Sequence, residues 1–183
     1  DLSWLDASAK QGNAEAAARL AVLAEKGEGI PQDYKRAADL YKVAAEAGIP
    51  QAEAGLGSLY ASGQGVPLDY EKAVYWLNKA AEEGFVEAQR KLADIYAYKR
   101  GDSAKAYAWM VVSLSAMFPN AQDLVQVSPD LERLIRSMTP QEIKDGQTLA
   151  LQLVERIKEN KKQQEERQKE LLARMEQYQK DAE

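Results

Sequence analysis

The chain has 183 residues, 45% of them hydrophobic, with 24 Lys and Arg against 29 Asp and Glu. The basic residues are interspersed with acidic ones, so no stripe of positive charge is on offer to a phosphate backbone or anionic lipid, and nucleic acid is not expected as a partner. Cysteine and histidine are both absent, which excludes disulfides, thiolate nucleophiles, Ser-His-Asp triads and nearly all zinc ligand sets.

No run reaches the roughly 18 to 20 apolar residues that a membrane span needs. The longest candidate, Ala108–Phe118, is interrupted by Ser113 and Ser115. No signal peptide is read at the start, and the chain begins without Met, so a leader could have been removed by processing.

Taken in chain order, the strongest signal is a period. Gly27 to Gly48, "GEGIPQDYKRAADLYKVAAEAG", returns thirty-six residues later as "GQGVPLDYEKAVYWLNKAAEEG", Gly63 to Gly84. Repeats of this length are the mark of stacked supersecondary units. The opening "DLSWLDASAKQG" sits one period before Leu40–Gly48, with Trp4 and Leu5 over Leu40 and Tyr41, so residues 1–12 read as the second helix of a truncated unit. Such a helix exposes an apolar face unless something covers it.

Gly12, Gly48 and Gly84 each close a helical pattern, and a first helix follows each. Its apolar positions recur at i, i+4, i+7: Ala16, Leu20, Leu23; Ala52, Leu56, Leu59; Ala88, Leu92, Ile95. A Gly-x-Gly-x-Pro turn ends the first helix in two of the units, and Asp33 and Asp69 stand where an N-cap carboxylate starts the second. That second helix carries the bulk. Leu40, Trp76 and, after a three-residue deletion, Trp109 align, with alanines nearby that let helices approach closely. The three tryptophans are expected in the core rather than stacking a sugar or base. Tyr34 and Tyr70 read as turn packing.

Units are therefore expected at 13–48, 49–84 and, shortened, at 85–118. The last has Val111, Val112, Leu114, Met117 and Phe118 on its second helix, the pattern of an array meeting a closing element. Residues 119–157 supply capping helices. Ser128-Pro129 suits a kink or a fresh helix start, and Thr139-Pro140-Gln141-Glu142 is a capping box that opens a long helix. Ile143, Ala150, Leu153, Val154 and Ile157 form a face able to cover the last hairpin.

From Lys158 to Glu183, seven positive charges balance seven negative ones. The apolar seam from Ile157 passes through Lys161, Gln164 and Gln168 before recovering Leu171, Met175 and Tyr178, which argues against a strong homodimeric coiled coil. This segment reads either as a solvated helix that frays or as a docking and self-association helix.

The Gly55-Leu56-Gly57 and Gly63-Gln64-Gly65 clusters follow no strand and precede no suitably placed basic residue, so they serve caps and turns and not phosphate. Acidic pairs such as Glu82-Glu83 read as solvated faces. No cofactor, metal or catalytic residue is assigned. What remains is recognition. Arg19, Gly55 and Lys91, with Val22, Ser58 and Asp94, lie off the buried stripe of the first helices, on the face that lines the concave side of a curved array. Arg90 and Tyr98 are added as interface side chains of the kind that carry binding energy, and Leu171 and Met175 as candidate contacts of the tail.

"AEAGLGSLYASGQGVPLDYEKAVYWLNKAAEEG", Ala52 to Gly84, resembles a Sel1-like repeat, a relative of the tetratricopeptide hairpin, and the resemblance extends over roughly Asp1 to Phe118. It implies an all-α, right-handed solenoid of antiparallel hairpins with a C-terminal capping region and a long helix. It also implies a noncatalytic adaptor that binds an unidentified protein partner. Bacterial members are often exported and attached to envelope assembly, secretion or host interaction, so a periplasmic or secreted location is the expectation, with the cytoplasm as alternative. A structural oligomeriser using the tail is the second reading, and a carboxylate-based glycan-acting enzyme the third.

Overall fold

The computed structural model describes residues 2–120 and 123–181, with side chains as far as Gln177. Asp1, Ala121 and Glu183, at or near expected unit boundaries, lie outside the described residues, as does the side chain of Tyr178. Among the described residues every regular element is helical. The order is α1 (Ser3–Lys10), α2 (Ala14–Lys26), α3 (Tyr34–Glu46), α4 (Pro50–Ser62), α5 (Tyr70–Glu82) and α6 (Val86–Ile95). A π-helical turn Tyr96–Arg100 leads to α7 (Ser103–Met117), followed by α8 (Leu124–Val127), α9 (Pro129–Ser137) and α10 (Pro140–Asp181).

Hairpins α2/α3, α4/α5 and α6/α7 stack in sequence, each second helix packing on the next first helix, and α1 packs on α2. This is the expected all-α solenoid. The helix starts are set by local chemistry. Asp33, Asp69 and Asp102 accept the amide hydrogens of Arg36, Lys72 and Lys105 at 2.9, 3.0 and 3.0 Å. Each satisfies one orphan donor of a second helix. Asp69→Ala should cost about 1 kcal/mol, read as a lower urea midpoint with unchanged slope.

The same three aspartates anchor the turns. Asp33 N–H donates to Ala24 O, Asp69 N–H to Tyr60 O and Asp102 N–H to Tyr96 O, at 2.8 to 3.0 Å. These acceptors are successive thirty-six-residue equivalents. The deletion in the third unit is therefore absorbed wholly within the turn, where the π turn takes the place of the longer Gly-x-Gly-x-Pro connection.

The core is an alanine and leucine seam. Ala17, Ala21 and Ala24 of α2 meet Ala37, Tyr41, Ala44 and Ala45 of α3 in one cluster, and Ala73, Leu77, Ala80, Leu92 and Trp109 belong to the next. Gly57 lets α4 approach α5, since a Cβ there would stand 2.7 Å from Leu77 Cγ. The apolar triplets of the first helices are buried as expected, apart from half-buried Leu23.

The tryptophan expectation needs correction. Trp109 is buried and Trp76 half-buried, but Trp4 is 62% exposed. Leu40 and Trp76 reach back onto clusters of the preceding hairpin. Trp4, at the same position in α1, has no preceding hairpin in this structure to reach.

Ser128 caps α9, accepting from Leu131 N–H at 3.2 Å, so the Ser-Pro pair is a fresh start. Thr139 and Glu142 form the reciprocal box, with Thr139 N–H donating to Glu142 Oε2 at 2.7 Å and Glu142 N–H to Thr139 Oγ1 at 3.2 Å. The Thr139 N–H and the Thr139 hydroxyl, which both donate to Glu142 Oε2, hold that carboxyl below its ordinary range. Gly146 is no breaker: it is buried against Tyr107 and Ala104 O and lets α10 lie close on α7. Ala150, Leu153 and Ile157 complete that contact. Arg156 then pairs with Glu82 at 2.6 Å and Asn160 Nδ2 donates to Glu82 O at 3.0 Å, tying α10 to the end of α5. At 42 residues α10 is about 63 Å long, and its described side chains are exposed from Lys161 onward.

Candidate functional site

A chain of cavities runs along the first helices. One of about 330 Å³ lies between α1 and α2, lined by Trp4, Leu5, Arg19, Val22, Leu23 and Gln51. A second, about 230 Å³, shares Val22 and Gln51 and extends over Gly55 and Ser58 to Glu87 and Lys91. A third, about 410 Å³, shares Glu87 and Lys91 and adds Arg90, Asp94 and Met117. The fourth, about 280 Å³, shares those last three and reaches Phe118, Val127 and Asp130.

The first two are the same feature one period apart. Leu5, Arg19, Val22 and Gln51 of one correspond to Tyr41, Gly55, Ser58 and Glu87 of the other. The groove is a product of the repeat, and the varying side chains of α2, α4 and α6 decorate it.

Its floor is set by Tyr41. A Cβ on Gly55 would stand 2.5 Å from Tyr41 Cζ, so the ring lies directly beneath that glycine. The Tyr41 hydroxyl donates to Glu25 Oε2 at 2.6 Å, and burial first, then that carboxylate, pushes the phenol far above its usual range. Tyr41 therefore stays neutral and fixed. At the far end partial burial raises the Asp94 carboxyl above its ordinary range; Arg90 and Lys91 oppose the rise and Asp130 adds to it. Apolar side chains sit at both ends, Trp4 and Leu23 beside Arg19 at one and Met117, Phe118 and Val127 among Arg90, Asp94 and Asp130 at the other. The middle carries Glu25, Lys26, Glu87 and Lys91.

Of the residues expected at the interface, Arg19, Arg90, Lys91 and Asp94 come together in this groove. Tyr98 does not: it is 67% exposed on the π turn and lines none of the four cavities. Leu171 and Met175 are exposed on α10, away from the groove. Sequence reading missed Trp4 as a lining residue and missed Glu53. The latter is 2% exposed on α4, and its Oε2 has no hydrogen-bond partner. A signal was available, because Glu53 sits in a column with Ala17 and Gln89, inside the buried stripe.

Among the described residues no cluster of three or more carboxylates is arranged to hold a metal ion, and no helix is long and apolar enough to cross a membrane. Stacked antiparallel hairpins with a decorated inner groove define a helical-repeat protein of the solenoid class. The Sel1 repeat model matches residues 14–49, 50–85 and 86–110, more than half of the chain. The chain belongs to the Sel1 repeat family.

The solved structures similar to this chain include two repeat proteins. One is a protective antigen present in uropathogenic Escherichia coli strains that displays an SLR fold, with 26% identity and TM-score 0.58 over 85% of this chain and 41% of that one. The other is a Sel1 repeat protein from Oxalobacter formigenes, with 28% identity and TM-score 0.52 over 57% of this chain and 44% of that one. The chain thus spans less than half the length of either. No curated protein matches it.

Proposed function

We propose that the chain is a noncatalytic protein-interaction scaffold that holds an extended segment of a partner protein in the groove of its first helices, in bacterial envelope assembly, secretion or signalling. The observation carrying this reading is the continuity of the four cavities, which share side chains from Trp4 to Phe118. Rigid helices preform such a groove, so binding requires little ordering of the scaffold. Apolar side chains at both ends, with charges of both signs along the middle and the far end, suit a segment with hydrophobic anchors at its two ends and charged or polar residues along its length. Sel1 repeat proteins are typically scaffolds of this kind, and the cellular setting rests on the family resemblance.

Panning a random peptide library against the immobilised chain tests the reading. Selected peptides should lose about tenfold or more in affinity on Arg90→Glu or Trp4→Ala, the range expected of interface anchors, and be indifferent to Tyr98→Ala. Peptides that bind all variants equally, or a library that yields no binder, would count against the groove.

A further inference from the structure

The face of the second helices carries a second repeated groove, formed between successive members. Between α1 and α3 it is an open cavity of about 420 Å³, lined by residues including Ala9, Lys10, Leu40 and Val43. One period on, the same positions between α3 and α5 are Ala45, Glu46, Trp76 and Lys79. There Tyr75 is 56% exposed and packs edge-on against Trp76, with Lys79 over both rings. In the third instance, between α5 and α7, the positions are Ala81, Glu82, Trp109 and Val112, allowing for the three-residue deletion. That groove is filled. Leu153 and Ile157 of α10 join Ala81, Trp109 and Val112 in one apolar cluster, and Arg156 pairs with Glu82.

The segment that fills it has a copy. "LVERI", Leu153 to Ile157, is followed eighteen residues later by "LLARM", Leu171 to Met175. Eighteen residues is five turns of α-helix, so Leu171, Arg174 and Met175 lie on the same face of α10 as Leu153, Arg156 and Ile157. All three are exposed, with nothing opposite them.

We infer that the tail of one copy docks into the groove between α3 and α5 of a second copy, with Arg174 against Glu46 and with Leu171 and Met175 against Tyr75 and Trp76. At the position where Glu82 receives Arg156, this groove has Glu46 and the one before it has Lys10, which is already paired with Asp6 at 2.7 Å. Lys79, where the filled groove has Val112, meets a tail segment that also carries Glu170 and Glu176. The tail cannot serve its own molecule, because Arg174 lies about 27 Å beyond Arg156 along a continuous helix that has already run past the end of α5. This contact is separate from the groove of the first helices, so either reading can fail without the other.

Sedimentation velocity across micromolar concentrations provides the test. The intact chain should gain mass with concentration. Arg174→Glu and Glu46→Arg, both at exposed positions, should each loosen association about tenfold or more, and an equimolar mixture of the two variants should recover it. A chain that stays monomeric throughout overturns the inference. So does association that Leu171→Glu with Met175→Glu abolishes and Glu46→Arg leaves untouched, the signature of two tails pairing with each other.

Discussion

Glu53→Gln is expected to stabilise the protein at pH 8 and to leave it almost unchanged at pH 5. The Glu53 carboxyl is pushed up to about 7, first by burial and then by Glu83; Lys79, at 4.0 Å from Oε1, offsets this only in part. In the unfolded chain the group titrates near its ordinary value of 4.5. Between these two values the folded state holds more protons than the unfolded state. Stability is therefore fully present at low pH, falls as pH rises from about 4.5 through about 7, and is level above that, a loss on the order of 3 kcal/mol.

Glutamine removes the titration and keeps the shape. It already occupies the equivalent position in the next hairpin, where Gln89 Nε2 donates to Ala81 O at 3.1 Å. The corresponding acceptor for residue 53 is Ala45 O. At pH 8 the variant should melt roughly 5 to 10 °C above the wild type. Equal destabilisation at both pH values would mean that Glu53 is held by something a neutral amide cannot replace.

The second large effect is at a glycine. Gly65→Ala should destabilise by about 3 to 4 kcal/mol, whereas Gly29→Ala, one period earlier in the same turn, should cost only about 1 kcal/mol. Both backbones are left-handed, at φ +71° and +74°, so both lose the conformational freedom that glycine supplies. They differ in what a methyl group would strike. At Gly65 it would stand 2.1 Å from the backbone oxygen of Tyr34, and at Gly29 it would meet only Leu2 Cδ1 at 3.3 Å. Leucine can move; the first turn of α3 cannot. Denaturant titration of the two variants side by side isolates the approach of successive turns from the backbone strain they share, and equal losses would refute that distinction.

Much of this architecture was legible because it is local. The caps at Asp33 and Asp69, the Ser128 start, the Thr139 box and the thirty-six-residue register each depend on residues a few positions apart or on direct self-comparison. The groove was legible in part: Arg19, Lys91 and Asp94 were placed by asking which first-helix positions leave the buried stripe, and Arg90 was added for its residue type. The errors share a physical cause. Aligning Trp4 with Trp76 says which way the side chain points and not whether a neighbour stands there. Tyr98 was chosen for its residue type alone, which says nothing of its place, and it stands exposed on the π turn. Glu53 escaped notice because a lone carboxylate in an alanine-rich helix looks solvated until the hairpins are stacked.

The placement of Trp4, Trp76 and Trp109 gives the molecule a built-in optical ruler. Trp4 stands in water, Trp76 two units on is half shielded, and Trp109 one unit further is enclosed. In an array where each unit touches only its neighbours, melting can begin at either terminus and spread. Because α10 closes the Trp109 end while Trp4 stands open, acrylamide should quench the emission in a fixed order along the chain, reporting from which side the stack comes apart.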